Sequence, residues 1–187
     1  MYDFQTIKDE KGFTKLEPEW NKLLQASLAD SVFLTWEYLS TWCEVYGDDF
    51  ELRVITARDG EGELVGIAPM MIGRGDCYPR KAFRHLTFLG GLGDSVAEYQ
   101  DFIVKEGLEA EIMPRLFERI VSKSGSDWEV CFLPMVPEDS ESMAEFRTQL
   151  SLAGNYTTQL LSRPSPHIPL PATWEDFIRS KSKNFKK

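Results

Sequence analysis

Cysteine and histidine are scarce in this chain. Cys43, Cys77 and Cys131 are its three cysteines, far apart and odd in number, and His85 and His167 are its two histidines. A scattered, odd set argues against a disulfide framework and fits a reducing compartment. With no CxxC pair and no His/Cys cluster, no zinc site is expected, and the thiols read as buried packing groups. Long apolar runs are missing too: none approaches the roughly 20 residues that span a bilayer. The chain opens Met1-Tyr2-Asp3-Phe4, without the basic-then-apolar pattern of a secretory signal. These absences predict a cytoplasmic location and no membrane span. Internal repeats and low-complexity tracts are also lacking.

What is present is enough apolar material for a folded domain: 42% of the 187 residues are hydrophobic. The net charge is −9. From Arg179 onward the chain carries Arg179, Lys181, Lys183, Lys186 and Lys187 and no acid. Removing those five positive charges from the net −9 leaves −14 for residues 1–178. A body that acidic is a poor surface for a nucleic-acid backbone, so no nucleic-acid partner is expected.

Periodicity gives the elements. Tyr2 to Lys8 alternates weakly, as a short edge strand does. Trp20, Leu23, Leu24 and Leu28 behind Pro18 predict a helix over 18–29. Thr35 can cap a second helix with Tyr38, Leu39, Trp42, Val45 and Tyr46 on its apolar face, closed by Gly47 in the left-handed conformation. The period then changes to two. Leu52–Ala57 and Leu64–Ile72 read as a hairpin joined by Asp59-Gly60-Glu61-Gly62. Gly73 to Lys81 reads as a polar loop. Phe83–Leu89 and Asp101–Val104 are further strands. Leu108, Ile112, Leu116 and Ile120 mark a helix that Pro114 should kink or delay. Strand 128–135, helix 138–153 ended by Gly154, and strand 156–161 follow. Pro164, Pro166, Pro169 and Pro171 make a stiff linker. Thr173 with Asp176 resembles a capping box for a last helix. The order predicts an α/β fold (an α+β mixed sheet) with helices on both sheet faces.

Several stretches resemble one protein family. Phe33-Leu34-Thr35 followed by Trp42 and Tyr46-Gly47 resembles the first helices of CelD-type, BioF2-like acetyltransferases. These belong to the GNAT acyltransferase superfamily and are related to the FemAB peptidyltransferases. Leu64-Val65-Gly66-Ile67-Ala68-Pro69-Met70 resembles their Gly-Ile-Ala-Pro strand. Phe88-Leu89-Gly90, then Glu98-Tyr99-Gln100-Asp101-Phe102, resembles their strand, loop and Tyr-x-Asp-Phe segment. Ile168-Pro169-Leu170-Pro171, Trp174-Glu175-Asp176-Phe177 and Lys181-Ser182-Lys183-Asn184 resemble their lobe junction. Each piece is weak alone; the ordered set covers most of the chain.

The resemblance implies a GNAT-like (acyl-CoA N-acyltransferase) fold. It implies an N-terminal lobe over 1–163, a proline-rich linker over 164–172, and the start of a truncated second lobe over 173–187. The complete, two-lobed protein would move an acyl group from acyl-CoA, its co-substrate, to an amine or hydroxyl. The acceptor would be a sugar, an amino acid or a cell-envelope precursor; the more distant FemAB likeness implies an aminoacyl-tRNA donor. The partner of this lobe would be the missing C-terminal lobe, and the fragment alone would be inactive. The family's pyrophosphate-binding position falls at Val104-Lys105-Glu106-Gly107. This departs from the Arg/Gln-x-x-Gly-x-Gly/Ala pattern, so no cofactor is expected on this lobe. Glu98, Tyr99 and Asp101 are the candidate substrate-binding residues. A carboxylate can take the proton of an attacking amine or hydroxyl, and a tyrosine can protonate a leaving thiolate. The same residues also suit a loop whose tyrosine and acids are merely solvated or locally bonded. Gly90-Gly91-Leu92-Gly93 reads as a turn rather than a phosphate cradle, since acids follow it. Ser124-Gly125-Ser126 lacks the frame of a hydrolase nucleophile. The tryptophans and His85 read as structural. A reading from another class is a non-catalytic binding domain of GNAT shape.

Overall fold

In the computed structural model the described residues are 1–47, 50–73, 83–91, 97–121, 127–161, 164, 166 and 168–182. Cys77, most of the 73–81 loop, Leu92-Gly93-Asp94, Ser124-Gly125-Ser126, His167, and Lys183 with the residues after it lie outside them. The architecture is mixed α/β. The first half contains β1 (Asp3–Ile7), α1 (Glu10–Thr14), α2 (Glu17–Gln25), a 3-10 turn at Val32–Leu34 and α3 (Trp36–Tyr46). Then come β2 (Phe50–Leu52), β3 (Val54–Arg58), β4 (Leu64–Ala68), β5 (Met70–Gly73), β6 (His85–Phe88) and β7 (Ile103–Val104). The rest is α4 (Glu109–Val121), β8 (Val130–Cys131), α5 (Glu141–Leu152) and α6 (Trp174–Ser180). Among the described residues no helix is long and apolar enough to cross a membrane.

Backbone pairing gives two four-stranded sets, β1-β3-β4-β7 and β2-β5-β6-β8. They are halves of one surface. Leu52 faces Met71 and Ile55 faces Ala68 in a single unbroken register. Between these pairs Arg53 N donates to Met70 O at 2.9 Å. The ladder is interrupted only because Pro69 has no N–H to give. β6 and β7 are likewise two pieces of one line. Leu89 N donates to Pro69 O at 2.7 Å, yet two places further on Ile67 faces Ile103 and not Gly91. The chain leaves the sheet after Leu89, makes an excursion, and rejoins the same line at Ile103. β8 then runs parallel to β6, with His85 opposite Val130 and Leu86 opposite Cys131.

Strand alternation feeds two cores. Val54, Ile67 and Met71 face α1, α2 and α3, around Trp20, Leu24 and Leu39. Ile55, Ala68, Met70 and Ile72 face α4 and α5, around Leu116, Phe117 and Phe146. Gly66 lets α4 approach the sheet: a Cβ there would sit 2.9 Å from Ile112 Cγ2. Each large side chain buried this way stabilises the fold by about 1.5–3 kcal/mol. Arg58 forks onto Glu19 at 2.7 and 2.9 Å and fixes α2 against β3.

Several sequence expectations hold. Thr35 Oγ1 accepts from Tyr38 N, and Thr173 Oγ1 accepts from Asp176 N, so both caps form. His85 is buried within β6. Others fail for physical reasons. Helix α2 stops at Gln25, and Ser27 makes a bridge to Lys105 instead. Gly47 stays right-handed, at φ −57. Pro114 does not delay α4, which begins at Glu109 and runs through it. Of the strand expected over 128–135 only Val130–Cys131 pairs. Residues 156–161 form no strand; Tyr156, Leu160 and Leu161 are exposed. Strand propensity is realised only through pairing, and these residues pair with none of β1 to β8.

Candidate functional site

The excursion between β6 and β7 holds all three candidate residues. Its base is a turn at Gly90 and Gly91: Gly90 sits at φ +84, and Gly91 N donates to Phe88 O at 2.8 Å. Its returning limb is pinned at several points. Ala97 N donates to Gly90 O at 2.9 Å. Gln100 Nε2 donates to Leu89 O at 2.9 Å, and Gln100 N donates to Met135 O at 3.0 Å. Leu89 and Met135 follow β6 and β8, so through Gln100 the limb links the chain beyond the carboxyl ends of two parallel strands. Open α/β sheets bind ligands at such places.

The backbone there is strained. Among the described residues Tyr99 (φ 51) and Met135 (φ 56) are the two non-glycines in the left-handed region. They meet through the Gln100 bond. Such conformations cost of order 1–3 kcal/mol each and persist where the surroundings over-determine them, often at functional sites. The Tyr99 ring lies stacked with Phe33, centroids 6.4 Å apart and planes 19° off parallel. Phe33 in turn meets Tyr38 edge-on at 5.3 Å.

The three candidates therefore occupy different environments. Glu98 is exposed, Tyr99 is half-buried against Phe33, and Asp101 is buried, with 5% of its surface exposed. Asp101 Oδ1 accepts from Phe102 N at 2.8 Å. Burial pushes the carboxyl up to about 6; bonds from the Ser140 hydroxyl and Phe102 N oppose the rise, and Asp139 adds to it. Ser140 Oγ also accepts from Met143 N at 2.9 Å and so caps α5, joining the loop to that helix. The folded carboxyl thus binds its proton more tightly than the ordinary value of 3.8. Stability from this group is present at low pH and is lost as pH rises from 3.8 to about 6. Asp101→Asn is expected to stabilise the neutral-pH protein by about 1–2 kcal/mol and to flatten the pH dependence over that window. Urea midpoints on either side of it check this; an unchanged slope refutes it.

Sequence reasoning missed Phe33, Gln100 and Met135 as parts of this site. Gln100 is fully buried. Its Oε1 and the buried Thr87 Oγ1 have no partner among the described residues. Both point at Gly91, where a Cβ would lie 2.7 Å from Thr87 Oγ1, 2.8 Å from Phe88 O and 2.9 Å from Gln100 Oε1. No spacing rule signals such a convergence.

Elsewhere the chemistry is structural. The first turn of α4, the position compared above with a pyrophosphate site, is already filled: Gly107 N donates to Glu109 Oε2 at 2.9 Å, and Lys105 pairs with Glu63 at 3.2 Å. At the opposite end of β6, Arg84 binds Glu51 at 3.0 Å, and Arg53 binds Asp127. Burial drives the Cys43 thiol up to about 12, which leaves it unreactive. Among the described residues no group of His, Cys, Asp and Glu could hold a metal ion. An open depression on α1, lined by Glu10, Lys11, Thr14 and Lys15, includes none of the candidates.

Fold and site together define a mixed α/β protein with a strained, aromatic-backed loop at the mouth of a parallel strand pair. No family model, curated protein or solved structure matches the chain.

Proposed function

We propose that this chain is the acceptor-binding lobe of a two-lobed GNAT-type acyltransferase, moving an acyl group from acyl-CoA to an amine or hydroxyl. The observation that carries the reading is the excursion loop. It interrupts the line shared by β6 and β7, lies beyond the carboxyl end of β6, and holds Glu98 and Tyr99 beside a strained backbone. The element order and the Gly-Ile-Ala-Pro strand support it. In the reaction the acceptor nitrogen or oxygen attacks the thioester carbonyl carbon and the C–S bond breaks. Glu98 takes the acceptor's proton, and the Tyr99 hydroxyl gives one to the leaving thiolate. The acyl donor belongs on the second lobe, since Glu109 already occupies the N-terminus of α4. α6, which buries no residue and leaves Trp174 66% exposed, supplies a surface for that lobe.

A second reading, a binding domain without catalysis, is favoured by the burial of Asp101, which faces the protein's own Ser140 and Phe102. Calorimetry separates the two. Acetyl-CoA is titrated into the 187-residue chain and into the gene's whole product. Binding by the whole product alone is expected. Binding by the isolated chain overturns the division of roles, and binding by neither leaves the non-catalytic reading.

A further inference from the structure

Two parts of this chain are suited to strand pairing and lack it. The first is the outer edge of β8. β8 closes the set β2-β5-β6-β8, so among the described residues its far side faces no strand. Val130 N donates to Arg84 O at 3.3 Å, and Phe132 N donates to Leu86 O at 2.9 Å. Strand alternation therefore turns the Cys131 and Leu133 amides to the open edge. Val130, Cys131 and Phe132 are exposed, and 130–133 carries no charge, glycine or proline to discourage pairing. The second part is 156–161. It pairs with none of β1 to β8, and Tyr156, Leu160 and Leu161 are exposed. It too has no charge, glycine or proline.

Topology joins the two. After β6 and β7, which share one line, α4 carries the chain back over the sheet, and β8 lies parallel to β6, one place further out. α5 repeats the move. It packs into the same core as α4, and Gly154 at φ +66 turns the chain just before Tyr156. Crossovers between parallel strands are right-handed, so two of them on one face step the sheet in the same direction. The next place is the open edge of β8. The chain's own segment does not take it. Asn155 N donates to Leu150 O at 3.1 Å and Arg147 donates to Gln159 Oε1 at 3.2 Å, which tie 155–159 to α5. Each copy thus presents one unfilled edge and one unpaired segment that suits it. Two copies satisfy both at once by a two-fold exchange, which leaves no edge or segment over and so closes.

We infer that the open edge of β8 is the docking site for residues 156–161 of a second copy of this chain, exchanged reciprocally and laid parallel to β8. The inference is independent of the acyltransferase reading.

Sedimentation equilibrium of the 187-residue chain over a concentration series, with amide hydrogen exchange on the same samples, tests it. A monomer–dimer equilibrium is expected, with the Cys131 and Leu133 amides protected in the dimer and open on dilution. Thr157→Pro combined with Thr158→Pro removes a donor to the edge whichever way the alternation falls, and should weaken the dimer at least about tenfold. Leu160→Ser should weaken it about fivefold to tenfold. Leu170→Ser is the control: Leu170 is 80% exposed and Leu160 81%, but Leu170 lies outside the segment. It should leave the dimer constant within about twofold. All four positions are exposed in the single chain, so the variants leave its core intact. A chain that stays monomeric, a dimer whose Cys131 and Leu133 amides remain open, growth beyond the dimer, or an equal loss in Leu170→Ser overturns the inference. Protection of those amides in the monomer also overturns it, since the segment would then cover its own edge.

Discussion

Trp20→Ala is expected to cost about 4–5 kcal/mol, the largest single loss in the protein. Trp20 has no exposed surface. Its ring meets both Phe13 and Trp36 at 5.7 Å, and its Nε1 donates to Leu34 O at 2.8 Å. Truncation leaves a cavity under α1 and α3, whose walls are held by the sheet. It also orphans a buried carbonyl in the 3-10 turn that carries Phe33. Trp20→Phe separates the terms: it keeps most of the apolar contact and removes the donor, for about 1–3 kcal/mol. Urea midpoints measure both, and a loss under about 2 kcal/mol for the alanine variant would show that the site collapses to fill its own void.

Gly91→Ala is expected to cost about 3 kcal/mol by crowding alone. Its backbone is not left-handed, so conformational strain does not enter. The new methyl would meet three oxygens at 2.7, 2.8 and 2.9 Å, and none is the end of a mobile side chain. Phe88 O is backbone, Thr87 Oγ1 rides on a stiff side chain in β6, and Gln100 is tied to Leu89 O. The loop must lift, so the Ala97 and Gln100 amides should exchange faster and the Tyr99–Phe33 stack should loosen. Gly107→Ala is the control, because Gly107 sits at φ +84 with nothing within 4 Å of a Cβ; it should cost only about 1 kcal/mol. Equal losses at the two glycines would show that the Gly91 contacts relax freely.

Local chemistry was legible in the sequence wherever it is self-contained. The caps at Thr35 and Thr173 form because a hydroxyl and an amide three residues on meet with no outside help. α4 was legible because its apolar stripe repeats at helical period over Ile112, Leu116 and Ile120. The strand expected over 156–161 was not legible as coil, because pairing depends on an edge contributed from elsewhere. Within the site, Glu98, Tyr99 and Asp101 could be singled out as a group, but not their separate fates. One faces water, one lies against a ring from residue 33, and one is buried on the cap of α5.

The sequence by itself determined the α/β class, the caps at Thr35 and Thr173, and the apolar stripe of α4, since each is a property of neighbours along the chain. Only the tertiary structure decided that a strand line breaks at Leu89 and resumes at Ile103, and that Gln100, next to left-handed Tyr99, bonds to Met135 across the gap. Those facts depend on which residues the sheet register sets opposite one another, and residues far apart in the chain fix that register together.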